Sequence, residues 1–317
     1  MAPTRYTVIV PMRHFHADEA ALKSLRETRP TSGPVQVLVA EGGHPARQRN
    51  AALAHAQGEI IVFLDNDCFL GLDFWRELEA VLDRPEVEIV GGPALLRPQA
   101  LAWEGIFHAL LTHVLIVGTV SARYAPRGKF RLATQTDLIL CNLAVRKSIF
   151  EKIGPLSTDL YPNEENEWLD RAHAAGVGAF YDPSLQVFRP QRATFGQLGR
   201  MLLRYGMGRT RQFRVSGWRP TFHQFLPFML IATFAALFYW QLEAEFILLW
   251  LVASAIIALT CDSRLRPWQR ITAGLVAPLI PLTYTVGQVL GWPALFLPTP
   301  ATSSEITIRN ERGERIV

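Results

Sequence analysis

Short apolar runs and amphipathic stretches alternate along the first part of the chain. Tyr6-Thr7-Val8-Ile9-Val10-Pro11, Val35-Gln36-Val37-Leu38-Val39-Ala40 and Ile60–Leu64 are apolar runs of strand length. Between them, His16–Arg26 carries helical spacing, with Ala20, Leu22 and Leu25 as packing positions, and Ala46–Ala56 predicts a second helix closed by Gly58. Phe74–Leu82 predicts a third helix and Val87–Gly91 a further strand. This order predicts a layered βαβ-type α/β fold, with the run ending at Leu64 as an interior strand. Farther on, Leu138–Val145 reads as a strand, Lys147–Ile153 and Asn163–Ala175 as helices, and Ala179-Phe180 as a short strand after Gly176 and Gly178.

The pattern changes near Phe222. Phe225–Trp240 and Phe246–Leu259 are almost continuously apolar, and a third run extends from Ile271 to about Leu290, or to Leu297 across Gly291-Trp292-Pro293. About 20 apolar residues span a bilayer as a helix. The expectation is therefore a domain over residues 1–220 with basic helices at its end, about three transmembrane helices over 221–297, and a polar tail over 298–317. Pro278 and Pro281 allow the third segment to be broken or re-entrant. Arg264, Arg266 and Arg270 put the linker Asp262–Arg270 on the cytoplasmic side with the first domain, and three full spans would then leave the C-terminus outside. Trp103–Val120, with His108 and His113, reads either as a core helix or as a stretch at the membrane surface near a lipid acceptor. Ala122–Arg131 predicts a basic, mobile flap.

The 317 residues carry 32 Lys and Arg against 28 Asp and Glu, a net charge of +4. That mild excess, with no zinc, helix-turn-helix or RNA-binding pattern, argues against nucleic acid as a partner. The basic residues do cluster: Arg189, Arg192, Arg200, Arg204, Arg209, Arg211, Arg214 and Arg219 precede the apolar region. Such a run suits a solvated face, or contact with anionic lipid or pyrophosphate at the cytoplasmic side of a membrane. Cys68, Cys141 and Cys261 lack metal-ligand spacing and suggest no disulfide framework, so a reducing compartment suffices. The N-terminal apolar core is too short for a signal peptide and reads as the first strand.

The candidate chemistry lies at the ends of these elements. Asp65-Asn66-Asp67 ends an apolar strand, where open α/β folds place ligands, and its carboxylates suit Mg2+ or Mn2+ bridged to a diphosphate. Glu41-Gly42-Gly43 is a polar turn that backbone and ligand can approach closely. Arg47, Arg49 and Asn50 follow it; the arginines either bind phosphate or form an ordinary helix surface. Glu164, Glu165 and Glu167 open a helix, where acidic residues serve catalysis or simply complement the helix dipole.

Taken together, residues 6 to about 215 resemble an inverting family 2 glycosyltransferase with the GT-A fold. Asp65-Asn66-Asp67 resembles that family's DXD motif, and the strand ending in Pro11 its opening strand. The resemblance implies that Asp67 coordinates a divalent ion, that Asp65 holds the ribose or a metal-bound water, and that Asn66 and Pro11 line the nucleotide. Glu41 stands where the family usually has an Asp contacting base or ribose. Asn163-Glu164-Glu165-Asn166-Glu167-Trp168-Leu169-Asp170-Arg171 resembles the acidic helix-start motif, which puts Glu165 at the catalytic-base position, more often Asp. Glu164 and Glu167 would be acceptor contacts or caps, and Arg171 their support. The C-terminal apolar segments look like those of succinoglycan-type exopolysaccharide glycosyltransferases. That resemblance implies a membrane-bound enzyme, its catalytic domain facing the cytoplasm, that uses a UDP-linked sugar donor and a polyprenyl-diphosphate-linked saccharide as acceptor. Arg200, Arg204 and Arg209 would clamp the acceptor's pyrophosphate. No QxxRW motif is present, since Gln197-Leu198-Gly199-Arg200-Met201 lacks the tryptophan, which favours transfer of a single sugar. A polyprenyl-phosphate glycosyltransferase resembling dolichol-phosphate-mannose synthase and a non-catalytic membrane scaffold are the alternatives.

Overall fold

The computed structural model describes residues 4–216, 229–295 apart from 230, 234 and 237, and 305–317. They fall into two compact units: one draws on residues 1–97, 122–190 and 300–317, the other on 98–121 and 191–299.

The first unit is built on an eight-stranded mixed sheet in the order β11-β2-β1-β3-β8-β5-β9-β7. β1 (Tyr6–Met12) lies between β2 (Val35–Glu41) and β3 (Ile60–Phe63), parallel to both, with Tyr6 opposite Val35 on one side and Ile60 on the other. β8 (Leu143–Arg146) runs antiparallel to β3 and to β5 (Ile89–Gly91); β9 (Ala179–Tyr181) is parallel to β5, and β7 (Arg131–Leu132) closes the order. Alternate side chains of each strand feed opposite cores, as the two-residue period of a strand requires. Val8, Val10, Val37, Val39, Val62 and Leu64 pack on one face with α1 (Ala20–Glu27) and α3 (Phe74–Leu82). Ile9, Leu38, Ile61 and Phe63 pack on the other with α2 (Pro45–Leu53), α6 (Ser148–Ile153) and α7 (Glu164–Ala174). A second sheet pairs β10 (Val187–Arg189) with β4 (Phe69–Leu70) and β6 (Ala94–Leu96).

Several boundaries differ from expectation. The first helix begins at Ala20 rather than His16. The run Leu138–Val145 spends Leu140–Asn142 on a 3-10 turn before the strand begins at Leu143. The largest correction is at the C-terminus. Residues 305–317 do not form a free tail: β11 (Thr307–Arg309) pairs antiparallel with β2, Thr307 opposite Glu41, and buries Ile308 in the sheet's core. Ile306 and Ile308, alternate residues in a polar stretch, place their side chains against the same core as β11 joins β2.

The second unit is helical. α4 (Ala102–Thr112) and α5 (Val114–Val117) break the apolar stretch expected as one helix, the break falling at His113. α8 (Phe195–Ser216) packs on the later helices through Leu198, Leu202 and Gly206, spaced four apart on one face. Gly206 and Gly287 are needed there: a Cβ on Gly206 would collide with the Tyr284 carbonyl, and one on Gly287 with the Leu203 carbonyl. Thr210 Oγ1 adds a 2.9 Å bond to the Gln288 carbonyl. Of the three expected apolar segments, residues 225–228, 230, 234 and 237 of the first lie outside the described residues. The second lies in a helix, Glu243–Thr260. The third divides into Pro267–Val276 and Leu279–Gly291, and only this combined stretch, among the described residues, is a single helical run long and apolar enough to cross a membrane.

Candidate active site

Leu64 N–H still donates to the Ile9 carbonyl at 3.2 Å, and then the chain turns, with Cys68 N–H donating to the Asp65 carbonyl at 3.1 Å. This turn presents Asp65 and Asp67 at the carboxyl end of the parallel strands. Asn66 fixes it through its backbone: its carbonyl accepts from Ala21 N–H at 3.2 Å, at the start of α1.

Two arginines hold the acidic pair. Arg49, on α2, donates Nη2 to Asp65 Oδ1 at 2.7 Å and Nη1 to Glu164 Oε1 at 3.2 Å. Its guanidinium thereby ties the end of β3 to the start of α7. Arg189, the last residue of β10, donates Nη1 to Asp65 Oδ2 at 3.4 Å and Nη2 to Asp67 Oδ2 at 3.1 Å.

α7 begins after Asn163, which sits in the left-handed region at φ 90°, and its first turn carries Glu164, Glu165 and Glu167 near the positive end of the helix dipole. All three are buried. Burial, and next the charge of Glu165, push the Glu164 carboxyl up to about 8 against the opposing pull of Arg49. The ion-pair distance to Arg49 alone would suggest a carboxylate, but that arginine is shared with Asp65, and desolvation of an enclosed acid outweighs half a partner. Arg123 Nη1 lies 3.5 Å from Glu165 Oε1. Arg123 is itself fixed by the carbonyls of Thr136 at 3.1 Å and Gln135 at 2.6 Å and by Asn166 Oδ1 at 2.5 Å. Glu167 pairs in a fork with Arg171, at 2.6 and 3.0 Å, and Arg171 also donates to the carbonyls of Ile153 and Pro155. That pair anchors the helix start to the preceding loop.

Other expected site residues fall elsewhere. Asn50 braces a loop: its amide donates to the Leu156 carbonyl at 2.8 Å and accepts from Leu156 N–H at 3.1 Å. Arg49, expected at the nucleotide, is only 5% exposed and serves the internal pairs above. Arg47 is half-buried on α2, and Pro11 is buried in β1 opposite Ala40. Glu41 accepts from Arg309 Nε of β11 at 2.9 Å, a bond that holds its carboxyl below the usual range, and His14 Nδ1 lies 3.8 Å from its other oxygen. Arg200 and Arg204 are exposed on α8, and Arg209 donates to Gln212 Oε1 at 2.9 Å on the same helix.

Two site arginines carried no signal of their role. Arg123 stood in a basic loop, and Arg189 in a basic run expected against lipid; the only trace of Arg189's role is the short apolar Val187-Phe188 before it, ended by Arg-Pro. Register decides the matter. β10 pairs antiparallel with β4, Phe188 opposite Phe69, so Arg189 arrives beside the turn that carries Asp67.

The fold is GT-A-like. Over 89% of this chain and 89% of the other, it matches the mannosyltransferase PcManGT from Pyrobaculum calidifontis, whose structure was solved in complex with GDP-Man and Mn2+, with TM-score 0.55 and 20% identity. S. aureus TarS 1–349 is similar over 67% of this chain and 64% of that one, with TM-score 0.44 and 12% identity. No curated relative matches the sequence. Residues 17–154 match the family described as Glycosyl transferase family 2.

GT-A enzymes typically use a divalent ion. Among the described residues no group of three or more His, Cys, Asp or Glu could enclose one. Asp67 Oδ1, however, makes only a 3.6 Å contact, with the Cys68 thiol. One carboxylate oxygen with Asp65 beside it fits Mg2+ or Mn2+ where a bound diphosphate contributes the remaining oxygens.

Proposed function

We propose that this chain moves one sugar from a nucleotide sugar to a polyprenyl-diphosphate-linked saccharide, with inversion, in exopolysaccharide or cell-surface glycan synthesis at the cytoplasmic face of a membrane. The observation that carries the reading is the continuous link Asp65–Arg49–Glu164, which joins an acidic strand end and an acidic helix start in one site.

The strand end suits the donor's diphosphate, since Asp65 and Asp67 come with the Arg189 guanidinium, able to bind phosphate oxygens in pairs. Asp67 would hold a divalent ion there, which would supply neutralisation of the charge that develops on the leaving diphosphate. Glu165 takes the proton of the acceptor hydroxyl as that oxygen attacks the anomeric carbon. The bond from this carbon to the diphosphate oxygen breaks, and the nucleoside diphosphate leaves with the electron pair. Glu164, with its pKa raised to about 8, keeps its proton at neutral pH and is the poorer base of the two. Arg123 orients Glu165.

The lipid acceptor is read from the helical unit. Arg200 and Arg204, exposed one turn apart on α8, suit its diphosphate, and the exposed Leu248, Leu251, Val252 and Leu259 of Glu243–Thr260 suit hydrocarbon. β11 is hydrogen-bonded to β2, so the C-terminal segment shares the sheet with the strands that precede the apolar region. That pairing supports an apolar region that crosses a bilayer an even number of times, or lies in its surface, rather than three spans with an external C-terminus.

Nucleotide release in detergent tests the reading, with UDP- and GDP-sugars, Mg2+ or Mn2+, and a polyprenyl-diphosphate saccharide. GDP-mannose joins the panel because PcManGT was solved with GDP-Man and Mn2+. Acceptor-dependent release from one donor, with a glycan one sugar longer, is expected. Transfer retained in Glu165→Gln would sink the base assignment, and unaltered nucleotide binding in Asp67→Ala would sink the donor site.

A further inference from the structure

Asp65 and Asp67 share one guanidinium. Arg189 keeps 15% of its side chain exposed and spends its two amino groups on different carboxylates, at 3.4 and 3.1 Å. A guanidinium suits this task because its amino groups are rigidly spaced in one plane. Arg49 takes the remaining oxygen of Asp65 at 2.7 Å. Two carboxylates and two guanidiniums therefore balance within the contact set. The backbone of Arg189 is held in place: β4 and β10 carry it to the turn, with Phe69 and Phe188 stacked 5.4 Å apart, so only the guanidinium has to move.

A divalent ion arriving alone would find both acids neutralised and a like charge beside them. A diphosphate changes that balance, since its oxygens bring negative charge and accept paired guanidinium bonds as well as a carboxylate does. We propose that Arg189 is the resident cation of the acidic pair and turns to the donor's diphosphate on binding, so that metal binding at Asp67 depends on nucleotide. The proposal rests on the nucleotide-sugar reading above.

The test is manganese paramagnetic resonance, titrating Mn2+ into the full chain in detergent with no nucleotide, with GDP and with UDP. For the natural chain, Mn2+ should bind at least about tenfold more tightly with one of the nucleotides than without, and Arg189→Gln should raise the affinity for Mn2+ alone by about tenfold. Asp67→Ala should abolish both signals, which assigns them to this site. Mn2+ binding that is equally tight with and without nucleotide overturns the proposal, as does an unchanged Mn2+ affinity in Arg189→Gln. If neither nucleotide binds with Mn2+, the donor reading falls and takes the proposal with it. If nucleotide binds but Arg189→Gln changes nothing, the proposal alone falls. Should Arg189→Gln not fold, Arg189→Lys serves: one ammonium cannot hold both carboxylates, so a smaller rise is expected, and none would be equally fatal.

Discussion

Arg189 and Arg200 belong to one basic run in the sequence, and the two units put them to opposite uses. In the α/β unit, Arg189 is held between two aspartates, Arg49 between an aspartate and a glutamate, and Arg123 beside Glu165. In the helical unit, Arg200 and Arg204 stand exposed on α8. The difference is one of solvent. An arginine enclosed with a carboxylate cannot be removed without stranding a buried charge, whereas an exposed one is worth little to the fold and remains available to an outside anion. Charge in a sequence is thus a quantity, and the fold decides whether it is architecture or binding surface.

Substitutions that strike the enclosed set should have the largest effects. Glu165→Gln keeps the shape and removes the proton acceptor, so the transfer rate should fall by about a thousandfold with nucleotide binding intact, measured by product formation and by titration of the nucleotide. Arg49→Met leaves Asp65 short of one partner and takes the guanidinium from Glu164; a loss of about 3 kcal/mol in denaturant unfolding is expected, together with weaker transfer. Were Arg49→Met as stable as the natural chain, the link between strand end and helix start would carry no weight.

The raised pKa of Glu164 gives a pH signature. The unfolded chain loses this proton near the ordinary carboxyl value, while the folded chain holds it up to about 8. Between those limits the folded state binds more protons, so this group's stabilising contribution, complete at low pH, declines as pH rises and is lost through about 8. Glu164→Gln should flatten that decline, and above pH 8 it should be the more stable chain by about 2 kcal/mol, read from thermal unfolding across pH. Parallel curves for the two chains would refute an enclosed, protonated Glu164. The smallest structural effect belongs to the exposed arginines. Arg200→Ala with Arg204→Ala should change stability by less than about 0.5 kcal/mol while lowering only acceptor-dependent turnover. A double variant that unfolds would erase the contrast between the units.

Much of the α/β unit is legible from periodicity. Val8, Val10, Val37 and Val39 alternate with Ile9 and Leu38 because a strand covered on both faces needs apolar groups on each. The acidic pair was legible for a related reason: a buried strand such as Ile60–Phe63 tolerates carboxylates only where it ends. The roles of Arg49 and Asn50 were not. Both sit on α2 close to the expected ligand, yet one bridges to Glu164 and the other grips Leu156, partners more than a hundred residues away in the chain.

Where strands and helices form, which ends are acidic, and which stretches are apolar enough to seek a nonaqueous partner are written in the local order of residues, because these follow from neighbours within a few positions. Which guanidinium meets which carboxylate, and the return of Ile308 and Arg309 to the edge beside Glu41, were visible only in the folded chain. Such pairings depend on strand order and register, and a strand's own pattern states which face is buried without naming the strand that will lie beside it.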